Sequence, residues 1–199
     1  IQGNTFAWND ATLKGGAMAF TGVFQAMISG NSFYRNTALT GGGVAFTNSI
    51  SLDDGSGAVV NPTVNTPPRN GLDYSANSYY YLSNSMLIGN VFTENSAWPT
   101  AGATAPGTAA LGGAVSLTNS TIWLAGGSFE KNLSAGSGGA LAQPSGLGLS
   151  QLYRANFVSN EAAINGGVAC QVAGASSQSF INCAFVGNNA ANQGGVFHI

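Results

Sequence analysis

The residues able to carry out catalysis are few in this chain of 199 residues, and they are widely spaced. Outside a long insertion described below, the carboxylates are Asp10, Glu94, Glu130 and Glu161. Polysaccharide-cleaving enzymes need two or three carboxylates that converge on one face, or a Ca²⁺ ion with a basic residue. Asp10 and Glu161 follow the same motif in distant repeats, and Glu130 beside Lys131 predicts a solvated ion pair. The spacing predicts no acid cluster and therefore no enzyme.

Other catalytic and metal-binding sets are also incomplete. His198 is the only histidine, so Ser/His/Asp and Cys/His sets lack a partner. Asp53, Asp54 and Asp73 could gather a Ca²⁺ ion, but the calcium-binding pattern Gly-Gly-x-Gly-x-Asp is absent. The glycine pairs lack the lysine and the following helix of a phosphate-binding loop. We predict neither a metal site nor a cofactor.

Two further features concern covalent chemistry. Cys170 and Cys183 could close the loop between them as a disulfide in an oxidising compartment, or remain two small buried hydrophobic residues. The sequence leaves both possibilities open. N-glycosylation sequons begin at Asn119 and Asn132. Asn132 belongs to a repeated motif in which a glycan would break the stacking, so Asn119 is the predicted acceptor.

Composition restricts the class of partner. Charged residues make up 6% of the chain, against about 25% in ordinary soluble domains, and the net charge is −2. No basic stripe could neutralise phosphates, which argues against nucleic-acid binding and docking on anionic lipid. No window of about 18 apolar residues occurs, so this segment should not insert into a membrane. The chain starts without Met or a leader and stops within a repeat, which predicts a piece of a longer protein.

An internal repeat organises the sequence. Its centre is Phe, two free positions and Asn, and a large apolar residue stands five positions before each Phe. Six residues after the Asn comes a Gly pair followed by Ala or Val, with one pair displaced by an insertion. The Phe and Asn residues are Phe6 and Asn9, Phe33 and Asn36, Phe92 and Asn95, Phe129 and Asn132, Phe157 and Asn160, and Phe185 and Asn188. The glycine pairs are Gly15–Gly16, Gly42–Gly43, Gly112–Gly113, Gly138–Gly139, Gly166–Gly167 and Gly194–Gly195.

The period predicts the fold. Phe6 to Phe33 spans 27 residues and Phe129 to Phe157 spans 28, which is too short for a propeller blade. Glycine pairs in every period exclude helical repeats, whereas short β-branched and aromatic runs between Gly, Asn and Ser favour strands joined by corners. We predict an all-β, right-handed parallel β-helix (a pectin-lyase-like solenoid) with about six coils of 27–28 residues.

Each repeated residue then has an expected task. The Phe and the apolar residue before it should point inward and stack at the inter-strand spacing of about 4.8 Å. The Asn should occupy a left-handed corner and form a ladder of amides, and the Gly pair should supply positive φ or a close backbone approach. Apolar residues two positions past the glycine pairs should also point inward: Met18, Ala45, Val115, Leu141, Ala169 and Phe197.

The domain prediction is one β-helix segment, 1–199, with a large inserted loop at 47–83 and a smaller one at 98–109. The larger loop carries Tyr79, Tyr80 and Tyr81. Tyrosine rings provide rigid contact area at low entropic cost, so they could bind a partner or a glycan. They could equally pack the loop against the coil edge.

The Phe-x-x-Asn and Gly-Gly-Ala/Val motifs are similar to those of the chlamydial polymorphic outer membrane protein repeat, which is also found in large cell-surface proteins of green algae and other organisms. The similarity covers nearly the whole chain, and the Ala/Gly/Pro/Thr-rich segment 101–110 resembles the algal proteins more closely. The resemblance implies an extracellular or cell-surface β-helix used in adhesion or surface assembly.

The predicted function is therefore a non-catalytic structural or adhesive scaffold. It would meet protein partners, or further copies of itself, through its coil ends and inserted loops. The alternatives are a carbohydrate-binding or carbohydrate-processing β-helix, with a glycan as ligand, and a subunit of an extracellular filament.

Overall fold

The computed structural model describes residues 1–23, 26–47, 85–99, 110–118, 120, 122–145, 148–171 and 176–198. These residues form short β-strands and no helix. In chain order the strands are β1 (Thr5–Ala7), β2 (Met18–Thr21), β3 (Met27–Ser29), β4 (Ser32–Tyr34), β5 (Thr37–Ala38), β6 (Val44–Thr47), β7 (Ser85–Ile88), β8 (Val91–Thr93), β9 (Ser96–Ala97), β10 (Val115–Thr118), β11 (Ile122–Ala125), β12 (Ser128–Glu130), β13 (Leu133–Ser134), β14 (Leu141–Ser145), β15 (Gly148–Tyr153), β16 (Asn156–Val158), β17 (Glu161–Ala162), β18 (Ala169–Gln171), β19 (Ser176–Ile181), β20 (Ala184–Val186), β21 (Asn189–Ala190) and β22 (Phe197–His198).

The strands assemble into four sheets in which neighbouring strands come from successive repeats. Sheet 1 has the order β1-β4-β8-β12-β16-β20, and sheet 2 has β5-β9-β13-β17-β21. Sheet 3 has β2-β6-β10-β14-β18-β22, and sheet 4 has β3-β7-β11-β15-β19. In each repeat the chain passes from sheet 4 to sheets 1, 2 and 3 in turn. The prediction of an all-β chain with stacked parallel strands is confirmed, and the arrangement is consistent with a parallel solenoid.

The register runs through the repeats without a break at the insertions. In sheet 1 every motif Phe pairs with the Phe of the next repeat. Val44 pairs with Val115, and Met27 pairs with Met86, although a long segment separates β6 from β7. Most of the predicted loops 47–83 and 98–109, including Tyr79, Tyr80 and Tyr81, lies outside the described residues. Thr47, the first residue of the larger predicted loop, is instead the last residue of strand β6.

The core is a column of aromatic rings flanked by aliphatic side chains. Phe33, Phe92, Phe129 and Phe157 are at most 1% exposed, and rings of successive repeats stack with centroids 4.6–5.3 Å apart. The apolar residues of sheet 4 that precede them are also buried: Ile28, Leu87, Leu124 and Leu152. Burying each of these side chains contributes about 1.5–3 kcal/mol.

The glycine pair of the second repeat differs from the prediction. Val44 pairs with Met18, so Gly41–Gly42 are equivalent to Gly15–Gly16, and Gly43 takes the place of the following Ala. Asp10 pairs with Thr37, so the connection from this position to the glycine pair is five residues long in the first repeat, to Gly15, and four residues long in the second, to Gly41. Gly42–Gly43 was therefore the wrong pair. Ala45 was also the wrong inward residue, because Val44 joins the core and Ala45 lies on the other face of β6.

Candidate functional site

The most regular polar feature is a ladder of asparagines at the corner between sheets 1 and 2, here called the main ladder. Asn36 donates from its backbone N and from Nδ2 to Asn95 Oδ1, at 3.1 and 2.9 Å. Its Nδ2 also donates to Phe6 O of the preceding repeat at 2.9 Å. Both amide bonds recur at Asn95, Asn132 and Asn160. From Asn36 to Asn160, each ladder Oδ1 accepts two hydrogen bonds and each Nδ2 donates two, so these side-chain atoms are paired although they are buried.

The left-handed residue of this corner is the one before the Asn. Its φ lies between +51° and +61° in five repeats, at Trp8, Arg35, Glu94, Lys131 and Ser159. The prediction that the Asn itself is left-handed was wrong. The Asn has to turn its amide along the stack, so the preceding residue makes the sharp turn. Each such residue costs about 1–2 kcal/mol in backbone energy, which the ladder must offset.

A second, shorter ladder lies at the corner between sheets 4 and 1, and it was not predicted. Asn4 N donates to Asn31 Oδ1 at 2.9 Å, and Asn31 Nδ2 donates to Asn90 Oδ1 at 3.1 Å. The signal was present in the sequence as Asn-x-Phe in the first three repeats. The next repeat has Gly127 at this position, where an added Cβ would lie 2.4 Å from Asn90 O. The second ladder therefore ends at Asn90.

The two glycines of a pair have different tasks, as Gly138 and Gly139 show. Gly138 has φ +72°, which an L-residue adopts at a cost. Gly139 has no unusual φ, but a Cβ there would lie 2.2 Å from Gly167 O. The other second glycines that meet a carbonyl in this way are Gly16, Gly42, Gly113 and Gly167. One glycine makes the turn and the other allows the repeats to stack closely.

Charged side chains collect at the corner of the main ladder. Arg35 forms an ion pair with Glu94, and this hydrogen bond raises the pKa of the Arg35 guanidinium. The guanidinium lies 4.8 Å from the ring centroid of Trp8 and 5.0 Å from that of Tyr34. Lys131 follows Glu94 at the equivalent position, so the sign of the charge alternates along the stack.

The candidate acids are distributed along this edge. Asp10 and Glu161 occupy the same register position of sheet 2, separated by four strand spacings or about 19 Å. Glu94 and Glu130 lie on adjacent repeats, but Glu94 is turned to Arg35. Within the described ranges Glu130 and Lys131 do not form the predicted ion pair. The described part of the chain contains no group of three His, Cys, Asp or Glu residues placed to hold a metal ion. Asp53, Asp54 and Asp73 lie outside the described residues.

Both cysteines are free in this structure. Cys170 is buried on sheet 3, and burial raises the pKa of its thiol, a shift that a hydrogen bond with Ser137 partly opposes. Cys183 lies at the corner of the second ladder, where its Sγ donates to Leu152 O at 3.6 Å. Cys183 therefore occupies the position that Asn31 and Asn90 hold in earlier repeats. His198 pairs with Cys170 in sheet 3.

Of the two sequon asparagines, the structure describes Asn132. Asn132 is fully buried, and its Nδ2 donates to Phe92 O and to Asn160 Oδ1. A glycan on this atom is incompatible with the ladder. Asn119 lies outside the described residues, so the prediction of a glycan there stays a prediction.

Comparison with known proteins found no family model, no curated protein and no solved structure that matches this chain. Among the described residues there is also no helix long and apolar enough to cross a membrane. The resemblance between the repeat and that of polymorphic outer membrane proteins therefore rests on the sequence motifs alone. The stacked corners are the features from which a function can be inferred.

Proposed function

We propose that the chain is a right-handed parallel β-helix of about six coils, and that it is a non-catalytic structural or adhesive scaffold of a large extracellular or cell-surface protein. The main ladder carries this proposal, because its hydrogen bonds run through every repeat from Asn9 to Asn188. A ladder of this kind holds surface side chains at a fixed spacing of about 4.8 Å along the stack. Regular presentation of a surface is what a scaffold requires.

The resemblance to the polymorphic outer membrane protein repeat is supported by the tasks of its two motifs. The Phe-x-x-Asn motif supplies the ring column and the main ladder. The Gly-Gly motif supplies the corner through which successive repeats approach closely. Because both motifs are used for stacking, the same sequence pattern in another protein should build the same stack.

Self-assembly through the ends of the stack is part of this proposal. Strands β1 and β20 stand at opposite edges of sheet 1, and edge strands present unpaired backbone groups. The main ladder also has a direction, because each Asn donates to the following repeat. Further repeats, from the same chain or from a partner, could add to Asn9 Oδ1 at one end and to Asn188 N at the other.

The alternative of glycan binding is favoured by one observation, on the outer face of sheet 4. The rings of Trp123 and Tyr153 lie 6.0 Å apart, and Tyr153 Oη lies 3.3 Å from Gln151 Oε1. Aromatic rings with a neighbouring amide and hydroxyl can bind neutral sugars through stacking and hydrogen bonds. This set would complement the scaffold function and does not require catalysis.

The test combines location with activity. Antibodies against the purified chain should label intact, non-permeabilised cells of the source organism, and the chain should release no reducing sugar from polygalacturonate or other polysaccharides. Labelling only after permeabilisation would contradict the proposed location. Sugar release that is lost in a Glu94→Gln/Glu130→Gln variant with an unchanged circular dichroism spectrum would establish the enzyme alternative. A glycan array with Trp123→Ala as the control tests glycan binding.

A further inference from the structure

The interior of the stack changes from apolar to polar between sheets 3 and 4. In the early repeats this interior holds Phe20 and Phe46, stacked at 4.9 Å, followed by Leu117. In the next repeat Ala142 pairs with Ser116, so Gln143, the residue after Ala142, takes the position of Leu117. On sheet 4, Ser150 takes the position of Ile122, since Trp123 pairs with Gln151. A buried Leu and Ile in one repeat are therefore replaced by a buried Gln and Ser in the next.

Two polar atoms of this region have no protein partner. Gln143 is 0% exposed and Ser150 is 1% exposed. Gln143 Oε1 accepts a hydrogen bond from Gln178 Nε2 at 3.4 Å, and Gln178 pairs in register with Ser150. Within the described residues, Gln143 Nε2 and Ser150 Oγ have no hydrogen-bond partner. Buried polar groups in folded proteins are nearly always paired with protein or with ordered water.

The backbone at Gln143 is irregular as well. The pairing of β14 with β10 shifts by one residue between Ser116 and Thr118, so β14 carries a β-bulge beside Gln143. Pro144, the next residue, has no N–H to donate to the ladder. A β-bulge locally disrupts the hydrogen-bond ladder and can change the direction of a side chain, here that of Gln143.

We propose that Gln143, Ser150 and Gln178 hold an internal water molecule inside the stack. Among the described residues, the polar groups near Gln143 include Ser150, Gln178 and also Gln171, which pairs in register with Gln143, and all of them are neutral. Water can accept from Gln143 Nε2 while it donates to Ser150 Oγ. A metal cation does not fit, because the unpaired Gln143 atom is a donor. A buried anion does not fit either, because none of these side chains carries a positive charge. The site is independent of the scaffold function proposed above.

The experiment is NMR detection of bound water in the folded chain. Water–protein cross-peaks in rotating-frame spectra should connect a water molecule, resident for longer than about a nanosecond, with the side-chain amide protons of Gln143. The matched variant is Gln143→Leu/Ser150→Ile, which copies Leu117 and Ile122 of the preceding repeat. This variant should fold, and its spectra should show no water cross-peaks from this region. No water cross-peak at the Gln143 amide in the wild-type chain would overturn the proposal.

A second variant keeps the proposal testable if the double variant does not fold. Ser150→Ala removes only the hydroxyl, and it should weaken the water cross-peak at Gln143 while leaving the main ladder amides protected. An unchanged cross-peak in Ser150→Ala would show that Ser150 does not hold the water. In a high-resolution crystal structure, density within about 3.2 Å of both Gln143 Nε2 and Ser150 Oγ is expected. Direct contact of these atoms with other protein groups would contradict the assignment.

Discussion

A ladder asparagine such as Asn95 uses every polar atom of its side chain for stacking. Its Oδ1 accepts two bonds from Asn36, and its Nδ2 donates to Phe33 O and to Asn132 Oδ1. The two amide atoms thus connect three successive repeats. No other side chain of similar size can both accept and donate in this way, since Asp lacks the donor and Leu lacks both.

Replacing Asn95 by Ala should lower the free energy of unfolding by about 3 kcal/mol or more, because donors of Asn36 and the carbonyl of Phe33 would remain buried and unpaired. Urea denaturation followed by circular dichroism measures the change. The control is Asn156→Ala, at an exposed position on the outer face of β16, which should change it by less than about 0.5 kcal/mol. Equal effects of the two variants would contradict a stabilising ladder.

The glycine pair offers a separate test at the same scale. Gly139→Ala should cost more than about 3 kcal/mol, because the new Cβ would lie 2.2 Å from Gly167 O, a backbone atom that cannot move alone. Gly89→Ala is the comparison, since Gly89 has φ +60° but no atom within 4 Å of an added Cβ. That variant should cost only about 1–2 kcal/mol. If Gly89→Ala were the more destabilising variant, the main role of glycine in this fold would be to adopt positive φ and not to allow close stacking of the repeats.

The strands themselves are too short to be stable alone. Strand β13 has two residues and β12 has three, so each gains its stability from the strands of neighbouring repeats. Phe92, for example, lies between Phe33 at 4.6 Å and Phe129 at 4.8 Å. Side-chain contacts along the stack, rather than contacts within one repeat, stabilise these elements.

The position of a Phe in the stack should therefore determine its effect. Phe92→Ala should lower the free energy of unfolding by about 3–5 kcal/mol, because a fully buried ring with two stacked neighbours is lost. Phe185→Ala should cost less, because Phe185 is half-buried in the last repeat. Amide hydrogen exchange, repeat by repeat, measures both effects even if unfolding is not two-state. Similar loss of protection in both variants would contradict nearest-neighbour stabilisation.

The alternating charges beside the main ladder should help to keep the repeats in register. Arg35→Glu places a carboxylate beside Glu94 and should lower the melting temperature at low salt, with a smaller decrease in 1 M NaCl, where the Debye length is about 3 Å. The exchanged variant Arg35→Glu/Glu94→Arg/Lys131→Glu reverses all three charges and so keeps their alternation, and it should recover most of the loss. Thermal melts at two salt concentrations test this. No recovery in the exchanged variant would assign the effect to the contacts of Arg35 with Trp8 and Tyr34.

The strands could be predicted from the sequence because the same types of apolar residue recur at the inward positions of each repeat. Three details could not be predicted in this way. The stretch Gly41-Gly42-Gly43 permits two alignments, and only the register of Val44 with Met18 decides between them. The left-handed corner could not be predicted, because six different residue types occupy it in the six repeats: Trp, Arg, Glu, Lys, Ser and Gly. The second ladder could have been found from Asn-x-Phe. The pattern is concealed because Gly127, Ala155 and Cys183 replace its Asn in the last three repeats.

At the scale of the whole molecule, the register of the stack continues from one side of the large insertion to the other. Thr47 pairs with Thr118, and Ser85 pairs with Ile122, so residues 48–84 replace a connection that needs only three residues in the next repeat. The scarcity of charge has a similar origin. Among the described residues, inward positions are taken by apolar side chains or buried amides, and charged residues lie at solvent-facing corners, as Lys131 does, or on the outer side of a strand, as Glu130 and Glu161 do.

Replacing residues 48–84 with the three-residue connection 119–121 should therefore leave the stack folded. Shortening the loop from 37 residues to three reduces the entropy of loop closure, so the free energy of unfolding should rise by up to about 2 kcal/mol. Circular dichroism and amide exchange at Asn95 measure the outcome. Because the graft introduces a sequon, a Gly-Ser-Gly connection is the control. Loss of the β signal in both variants would mean that the insertion stabilises the stack.

The direction of the main ladder gives the molecule an electrical axis. From Asn9 to Asn160, each side-chain amide donates one hydrogen bond to the Oδ1 of the following repeat, so the amide C=O groups all point toward the preceding repeat. Their dipoles, each about 3.5 D if similar to a peptide unit, therefore add instead of cancelling. The row is positive toward Asn188 and negative toward Asn9. Molecules that join end to end would align these dipoles in one sense, whereas molecules that pack side by side would be favoured in opposite orientations.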